Sequence, residues 1–334
     1  MAVCLVTGGG GFIGSHLVGA LLVAGHEVRV LDNWITGSRA KLVPFQDQIR
    51  IFSGDVTDAS VVCQAVKGVE IIFHQAALAS VPRSVVDPLN SHQVCATGTL
   101  QLLMAAHSAR VRRVIYAASS SAYGNPAKLP VREADPTLPL SPYAVAKLAG
   151  EHYCWSFSQV FGLETVRLRY FNVFGPGQLP GGPYAAVIPL FIEAMLSGRS
   201  PVIYGDGLQS RDFTYVDDVV QANLLAAEAP RVSGKVFNIA SGRRSAILEL
   251  VEKINRLAGS RIRPIHDKPR PADIRHSQAD IGLAQAELGY CPCTDLDRHL
   301  QDCLEYHAEL RQEPLPFPGT PSVVDGELQS AKVC

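Results

Sequence analysis

Short runs of β-branched and apolar residues alternate with longer amphipathic stretches through the first half of the chain. The strand-like runs are Val3–Thr7, Glu27–Leu31, Arg50–Phe52, Glu70–His74, Arg113–Ala117 and Thr165–Tyr170. Between them apolar residues recur at helical spacing over Phe12–Ala24, Ser60–Val66, His92–Ala109 and Pro142–Phe161. Strands alternating with helices predict βαβ units. The expected fold class is therefore α/β, a doubly wound parallel sheet of six or seven strands with ligands at the strands' carboxyl ends.

The rhythm changes after Asn172. Gly175-Pro176-Gly177 and Gly181-Gly182-Pro183 predict a long ordered loop. Helices are predicted at Ala185–Leu196, Ile247–Ala258, Ile281–Leu288 and Leu296–Leu310, and strands at Pro201–Tyr204 and Val236–Ala240. From about Gln312 prolines appear without periodicity, which predicts a mobile tail over 312–334. The expected organisation is a nucleotide-binding domain over 1–172, joined by about 208–240, and a smaller α/β substrate-binding domain over most of 173–311.

Composition narrows the class. With 47% apolar and 18% charged residues the chain is not disordered. A net charge of −1 offers no basic excess, so neither nucleic acid nor an anionic membrane is an expected partner. The longest apolar stretch, near Ala20–Ala24, falls far short of the roughly 18 residues that span a bilayer. The first residues lack a basic region and a cleavage site, and no secretory signal is read. The eight cysteines are scattered, and Cys291-Pro292-Cys293 has no second ligand pair at zinc spacing. They read as reduced thiols of a cytoplasmic protein, with no metal site.

Two motifs carry chemistry. Gly8, Gly11 and Gly14 lie in Thr7-Gly8-Gly9-Gly10-Gly11-Phe12-Ile13-Gly14, directly after a strand and at the opening of a helix. Glycine there allows a tight turn and lets backbone N–H groups and a helix N-terminus meet a pyrophosphate. Asp32 ends the second strand, where an acid holds ribose hydroxyls and repels a 2′-phosphate, so NAD is favoured over NADP. Asp55, in Gly54-Asp55-Val56, closes the third strand, where it could meet the adenine amino group. The second motif is Tyr143-x-x-x-Lys147, on one face of a helix. A lysine ammonium beside the phenol favours phenolate and supplies a base near neutral pH. A strand ending in Ser119-Ser120-Ser121 precedes it; a serine there either shares the substrate oxygen or caps a helix. His74 ends a strand near the expected cofactor site. Arg211, Arg270 and Asp273 lie on late loops, where arginines either grip a diphosphate or remain solvated surface charge.

Taken together, these residues resemble the extended short-chain dehydrogenase/reductases, and within them the UDP-hexose 4-epimerases, over about residues 1–310. The resemblance includes the glycine motif, Asp32-Asn33, Gly54-Asp55-Val56, His74-Gln75-Ala76-Ala77, the triple serine before Tyr123-Gly124, Tyr143 and Lys147. It continues through Arg169-Tyr170-Phe171-Asn172, Gly205-Asp206-Gly207, Ser210-Arg211-Asp212-Phe213 and Arg270 to Asp273. It implies a Rossmann sheet with bound NAD, held by the glycine loop with Phe12 and Ile13, Asp32, Asn33, Asp55, Val56, Gln75, Ala76, Ala77, Tyr143, Lys147 and Tyr170. Ser119 is implied to pair with Tyr143, with Ser120 and Ser121 assisting. Asn172, Arg211 and Arg270 are implied to hold the diphosphate, with Asp273 on the same loop, and Val187 and Tyr204 to lie near the uracil.

Finer features point to the UDP-N-acetylhexosamine branch. Gln75 to Ser84, which includes Ser80, and Tyr184 to Pro189 are similar to its loops. At the position where UDP-glucose-only members carry tyrosine, this chain has Ser277, which leaves room for an N-acetyl group. On its own sequence context Ser277 could instead cap the helix pattern that starts near Asp280. Cys95 and Ala272 stand where the family commonly has asparagine and glycine. The resemblance implies a UDP-sugar 4-epimerase: Tyr143 takes the 4-hydroxyl proton as hydride leaves C4, and the 4-keto sugar turns and is reduced on its other face. Sister enzymes that dehydrate or decarboxylate, a UDP-glucose 4-epimerase or UDP-glucuronate 4-epimerase, and a non-catalytic NAD-sensing protein are the alternatives. Dehydratases place an acid pair after the strand serine or threonine, which Ser120-Ser121 lack; non-catalytic relatives lose the Tyr or Lys. The family also implies a homodimer through the helices at His92–Ala109 and Pro142–Phe161.

Overall fold

Seven strands pair in parallel in the order β11-β6-β5-β4-β1-β2-β3. They are β1 (Val3–Thr7), β2 (Glu27–Asp32), β3 (Ile49–Ser53), β4 (Ile71–His74), β5 (Arg113–Ser119), β6 (Glu164–Tyr170) and β11 (Lys235–Ile239). This computed structural model describes residues 1–180, 186–269 and 274–312. Strands buried on both faces must be apolar throughout, and β1, β4 and β5 are: Leu5, Val6, Ile72, Phe73, Val114 and Ile115 are all fully buried. Helices cover both faces. On one side α1 (Phe12–Val23) and α8 (Val216–Glu228) seal a core with Leu17, Val18, Val219 and Ala226. On the other, α2 (Ala59–Ala65), α5 (Gly98–Ser108) and α6 (Pro142–Val160) contribute Val62, Leu102, Leu103 and Cys154. The fold is the expected doubly wound Rossmann type.

The strand order reverses between β1 and β4, which pair Thr7 against His74. Such a switch point opens a crevice beyond the strands' carboxyl ends. A second core lies past Asn172, where α7 (Val187–Leu196), α9 (Ile247–Leu257) and α11 (Leu296–Gln312) gather Phe191, Ile192, Leu250, Ile254 and Leu300. Four short strands serve it: β8 (Val202–Tyr204) pairs with β13 (Ile265–Asp267), and β9 (Ser210–Arg211) with β12 (Ser245–Ala246). Between them β7 (Val173–Phe174) pairs with β10 (Thr214–Tyr215).

Besides the short strands β7, β9, β10, β12 and β13, which no pattern predicted, the sequence and the structure differ in three helices. Helix α8 has no counterpart in the predicted elements, because half of its buried face is alanine and asparagine (Ala222, Asn223, Ala226, Ala227) and its apolar signal is weak. The helix expected from His92 begins earlier, with α3 (Val81–Val86) and α4 (Pro88–His92), and passes through a π-turn at Gln93–Thr97 before α5. Helix α10 (Gly282–Leu288), expected with the second core, returns Ala284 and Leu288 to the core of the main sheet. The expected tail beyond Gln312, Gly181-Gly182-Pro183 and Tyr184-Ala185 lie outside the described residues. No helix among the described residues is long and apolar enough to cross a membrane.

Candidate active site

The crevice at the switch point is a cavity of about 340 Å³. Its wall brings together Gly8, Gly11, Phe12, Ile13, Gly14, Asp32, Asn33, Val56, Gln75, Ala76, Ala77, Tyr143, Lys147 and Tyr170. The glycines are required by crowding: a Cβ on Gly14 would lie 2.1 Å from the Gly8 carbonyl oxygen, and one on Gly8, where φ is +70°, 2.8 Å from the Ala76 nitrogen. Asp32, buried at the end of β2, accepts from the Gly10 N–H (2.9 Å) and the Trp34 N–H (2.8 Å), which ties the acid to the glycine loop. Gln75, Tyr170 and Asn223 form a closed hydrogen-bonded set: Asn223 donates to the Tyr170 hydroxyl at 2.8 Å and accepts from Gln75 at 3.1 Å. Asn223 sits on α8, so the sequence pattern missed it along with its helix.

Asp55 is placed differently from the other cofactor-side candidates. It is absent from the cavity wall and accepts from Asn33 (2.5 Å) and from the Thr57 N–H and hydroxyl (both 2.8 Å). Burial opposes its charge, but these hydrogen bonds outweigh burial and hold the carboxyl below its ordinary value.

A second cavity, of about 250 Å³, shares Val173 with the first. Asn172, Val187, Tyr204 and Arg211 line it, together with Phe191, Gln209 and Phe213. Ser277 stands beside Asn172: its hydroxyl accepts from the Asn172 amide at 3.2 Å and from the Asp212 N–H at 3.4 Å. It does not cap α10, whose first residue is bonded by Asp280 instead, Gly282 N–H to Oδ1 at 2.9 Å. Ser80 caps α3 by accepting from the Arg83 N–H and lines neither cavity. Ser119 and Ser121 share a hydrogen bond of 2.8 Å, and Ser119 also caps the turn Ser120–Tyr123 through the Ser121 N–H. The structure displays the capping role of Ser119, which also stands within hydrogen-bonding reach of Tyr143. Arg270, Ala272 and Asp273 lie outside the described residues.

The electrostatics of the Tyr143–Lys147 pair differ from the spacing argument. Burial is the largest influence on Tyr143, and with Cys95 beside it pushes the phenol well above its ordinary value; the Ser119 hydrogen bond acts the other way. The expectation of a lowered phenol considered the lysine and not the burial. Lys147 is also buried, and burial lowers its ammonium, against weaker support from Cys95, Cys154 and Glu151. His74 is fully buried and held down to about 3, by burial and by Lys147, so it is neutral.

The residues present fit a dinucleotide. A bare glycine backbone opens a helix, an acid closes β2, and Lys147 presents a buried ammonium that has no ion pair among the described residues. Residues 4–240 match the NAD dependent epimerase/dehydratase family. The UDP-glucose 4-epimerase of Mycolicibacterium smegmatis is 38% identical over 306 residues, 90% of this chain and 97% of that one. A structure of UDP-N-acetylglucosamine 4-epimerase from Methanobrevibacter ruminantium M1, in complex with UDP-N-acetylmuramic acid, is 41% identical with a TM-score of 0.88, covering 92% of this chain and 98% of its own. The UDP-glucose 4-epimerase of Thermotoga maritima, solved with UDP-glucose, is 36% identical with a TM-score of 0.89, covering 92% and 99%. By family, cofactor and relatives, the chain belongs to the NAD-dependent epimerase/dehydratase family, among its UDP-sugar 4-epimerases.

Proposed function

We propose that the chain interconverts UDP-N-acetylglucosamine and UDP-N-acetylgalactosamine by inverting C4. The observation that carries this is Ser277, a small side chain hydrogen-bonded to Asn172 at the edge of the second cavity. A hydroxyl there leaves volume for an N-acetyl group and a polar partner for its amide. Nothing about a small residue rejects a smaller sugar, so UDP-glucose and UDP-galactose are expected to turn over as well. The likeness to the Methanobrevibacter enzyme supports the acetylated reading.

In this reading the first cavity holds NAD and the second the uridine, with Asn172, Arg211 and Arg270 on the diphosphate. NAD held there would supply the acceptor and donor for the C4 hydride. Tyr143, hydrogen-bonded to Ser119, takes the 4-hydroxyl proton and later returns it to the same oxygen, once the turned 4-keto sugar is reduced at C4 on its other face. Lys147 supplies the positive charge that offsets the burial of the phenol. The nucleotide end must be gripped while the sugar rotates, so the firm contacts belong to the uridine side.

The exposed apolar residues Val85, Val86, Leu89, Met104, Val145 and Trp155 on α3 to α6 support a homodimer through that face. The seven described cysteines are all free, which supports a reducing, cytoplasmic setting. The deciding experiment incubates the purified protein, without added NAD, with each of the four UDP-sugars and with UDP-glucuronate, and reads the equilibrium mixture by NMR. Turnover confined to UDP-glucuronate, or to the two non-acetylated hexoses, overturns the reading.

A further inference from the structure

The ammonium of Lys147 is buried in a place where no carboxylate among the described residues receives it. The carboxylate that acts on it, Glu151 one turn along α6, is committed elsewhere: it accepts from Arg169 at 3.0 and 2.6 Å and faces Arg167 at 3.9 Å. What the Lys147 Nζ does meet is a ring. It lies 4.3 Å from the ring centroid of Tyr116, a fully buried residue in the middle of β5. The same tyrosine holds the helix that carries the lysine, because its hydroxyl donates to the Lys147 backbone carbonyl at 3.0 Å. Helix α6 approaches the ring closely only because position 150 is glycine; a Cβ there would sit 2.4 Å from the Tyr116 oxygen.

The ring is also kept free of a competing cation. His74 packs against it at 5.6 Å between centroids. The Thr99 hydroxyl donates to the Cys95 carbonyl (2.7 Å), so it accepts from His74 Nε2–H at 3.0 Å. Burial keeps His74 neutral, so its Nδ1 accepts from the Thr7 hydroxyl at 2.7 Å, while Thr7 Oγ accepts from the Ala76 N–H at 3.2 Å. Each threonine hydroxyl is thus satisfied by the neutral imidazole.

We propose that Tyr116 is a positioning residue for Lys147: its ring face carries the ammonium, and its hydroxyl fixes the helix turn from which that ammonium reaches the cavity beside Tyr143. The inference rests on the assignment of Tyr143 as the base. Its consequence is two-sided. A ring face favours the charged lysine, and a charged lysine favours the phenolate. Weakening the face should move the acid limb of the rate upward and the alkaline limb downward. The other titratable groups facing Lys147 are Cys95 on the π-turn, Cys154 and Glu151 on its own helix, and His74 on β4.

The test replaces Tyr116 with phenylalanine, then with mono-, di- and trifluorinated phenylalanines by genetic-code expansion. Fluorine drains the ring face with little change in volume, so the fold is kept. The readouts are kcat and KM for a UDP-sugar against pH, and the NAD content of each variant. The expected result is a progressive narrowing of the kcat profile, with the acid limb displaced by about one pH unit at the trifluoro end, and KM unchanged. Tyr143→Phe is measured in parallel. If it loses turnover and the fluorinated series has the profile of the Tyr116→Phe variant throughout, the role of Tyr116 is overturned alone. If Tyr143→Phe keeps its turnover, the base assignment falls and this inference falls with it.

Discussion

Replacing Ser277 with tyrosine separates the uridine grip from the sugar pocket, and the structure sizes both effects. Ser277 is tied at its backbone, N–H to the Ser210 carbonyl at 3.1 Å, so the new side chain must start from the same place. The substitution first removes the acceptor of the Asn172 amide at 3.2 Å. Losing one neutral hydrogen bond costs about 0.5–1.5 kcal/mol, or roughly two- to tenfold. Asn172 lines the second cavity, so every UDP-sugar should feel this loss. The ring then fills volume next to that cavity. Overpacking costs about 1–3 kcal/mol, or roughly 5- to 150-fold, and only a substrate with a bulky 2-substituent meets it. Ser277→Ala isolates the first effect. The assay is kcat/KM for UDP-N-acetylglucosamine and for UDP-glucose in the wild type and both variants. Ala should lower both values together; Tyr should lower the acetylated one several-fold further. If the acetylated-to-plain ratio is the same in the Tyr and Ala variants, Ser277 does not gate the pocket and the acetylated assignment loses its support.

Three other outcomes are expected. Tyr143→Phe keeps the ring and removes the ionisable oxygen, so kcat should fall about 10²- to 10⁴-fold while the thermal midpoint holds; near-normal turnover would mean another group takes the proton. Nucleotide released by denaturing the protein should be NAD and not NADP, because the buried Asp32 carboxylate repels a 2′-phosphate; mainly NADP in the extract would refute this. Asp218 is pushed up to about 6 by burial, and its Oδ2 has no hydrogen-bond partner among the described residues. The folded chain therefore binds this proton more tightly than the unfolded one, so the group's contribution is full below about pH 4 and lost as pH rises through about 6. Asp218→Asn should raise the unfolding free energy on the order of 2 kcal/mol at pH 8 and leave it nearly unchanged at pH 4. A difference independent of pH would contradict that cause.

What the sequence discloses about the site follows from how local each rule is. Gly8, Gly11, Gly14 and Asp32 obey constraints that act within a single βαβ unit, and all four line the first cavity. Tyr143 and Lys147 share a helix, so their joint placement was legible; the burial that dominates the phenol was not, since Tyr143 packs with Cys95 and Ala96 of the π-turn, distant in sequence. Asp55 accepts from Thr57 and from Asn33, and its contact with Asn33 joins two strand ends that no local spacing announces. Helix α8 escaped because alanine carries little apolar contrast, and Asn223 and its link to Tyr170 went with it. The contact between Tyr116 and Lys147 spans β5 and α6, and no spacing within either element announces it.

The late arrival of β11 has a consequence for how the protein is made. Strand β6 has β5 on one side, and its other side is filled only by residues 235–239, after α7 of the second core and before α9 and α11. Until then β6 is an open edge of buried-type residues, Val166 and Leu168 among them, able to recruit any passing strand. Even β11 is not the last component. Tyr290 bonds the Ala240 carbonyl through its hydroxyl at 2.9 Å and packs into the same core as Phe237 and Ile239. A nascent chain on the ribosome therefore carries six of the seven strands with an adhesive edge until residues 235–239 emerge, and an incomplete core until Tyr290 follows. Truncations anywhere between β6 and Tyr290 should aggregate rather than yield a free nucleotide-binding module.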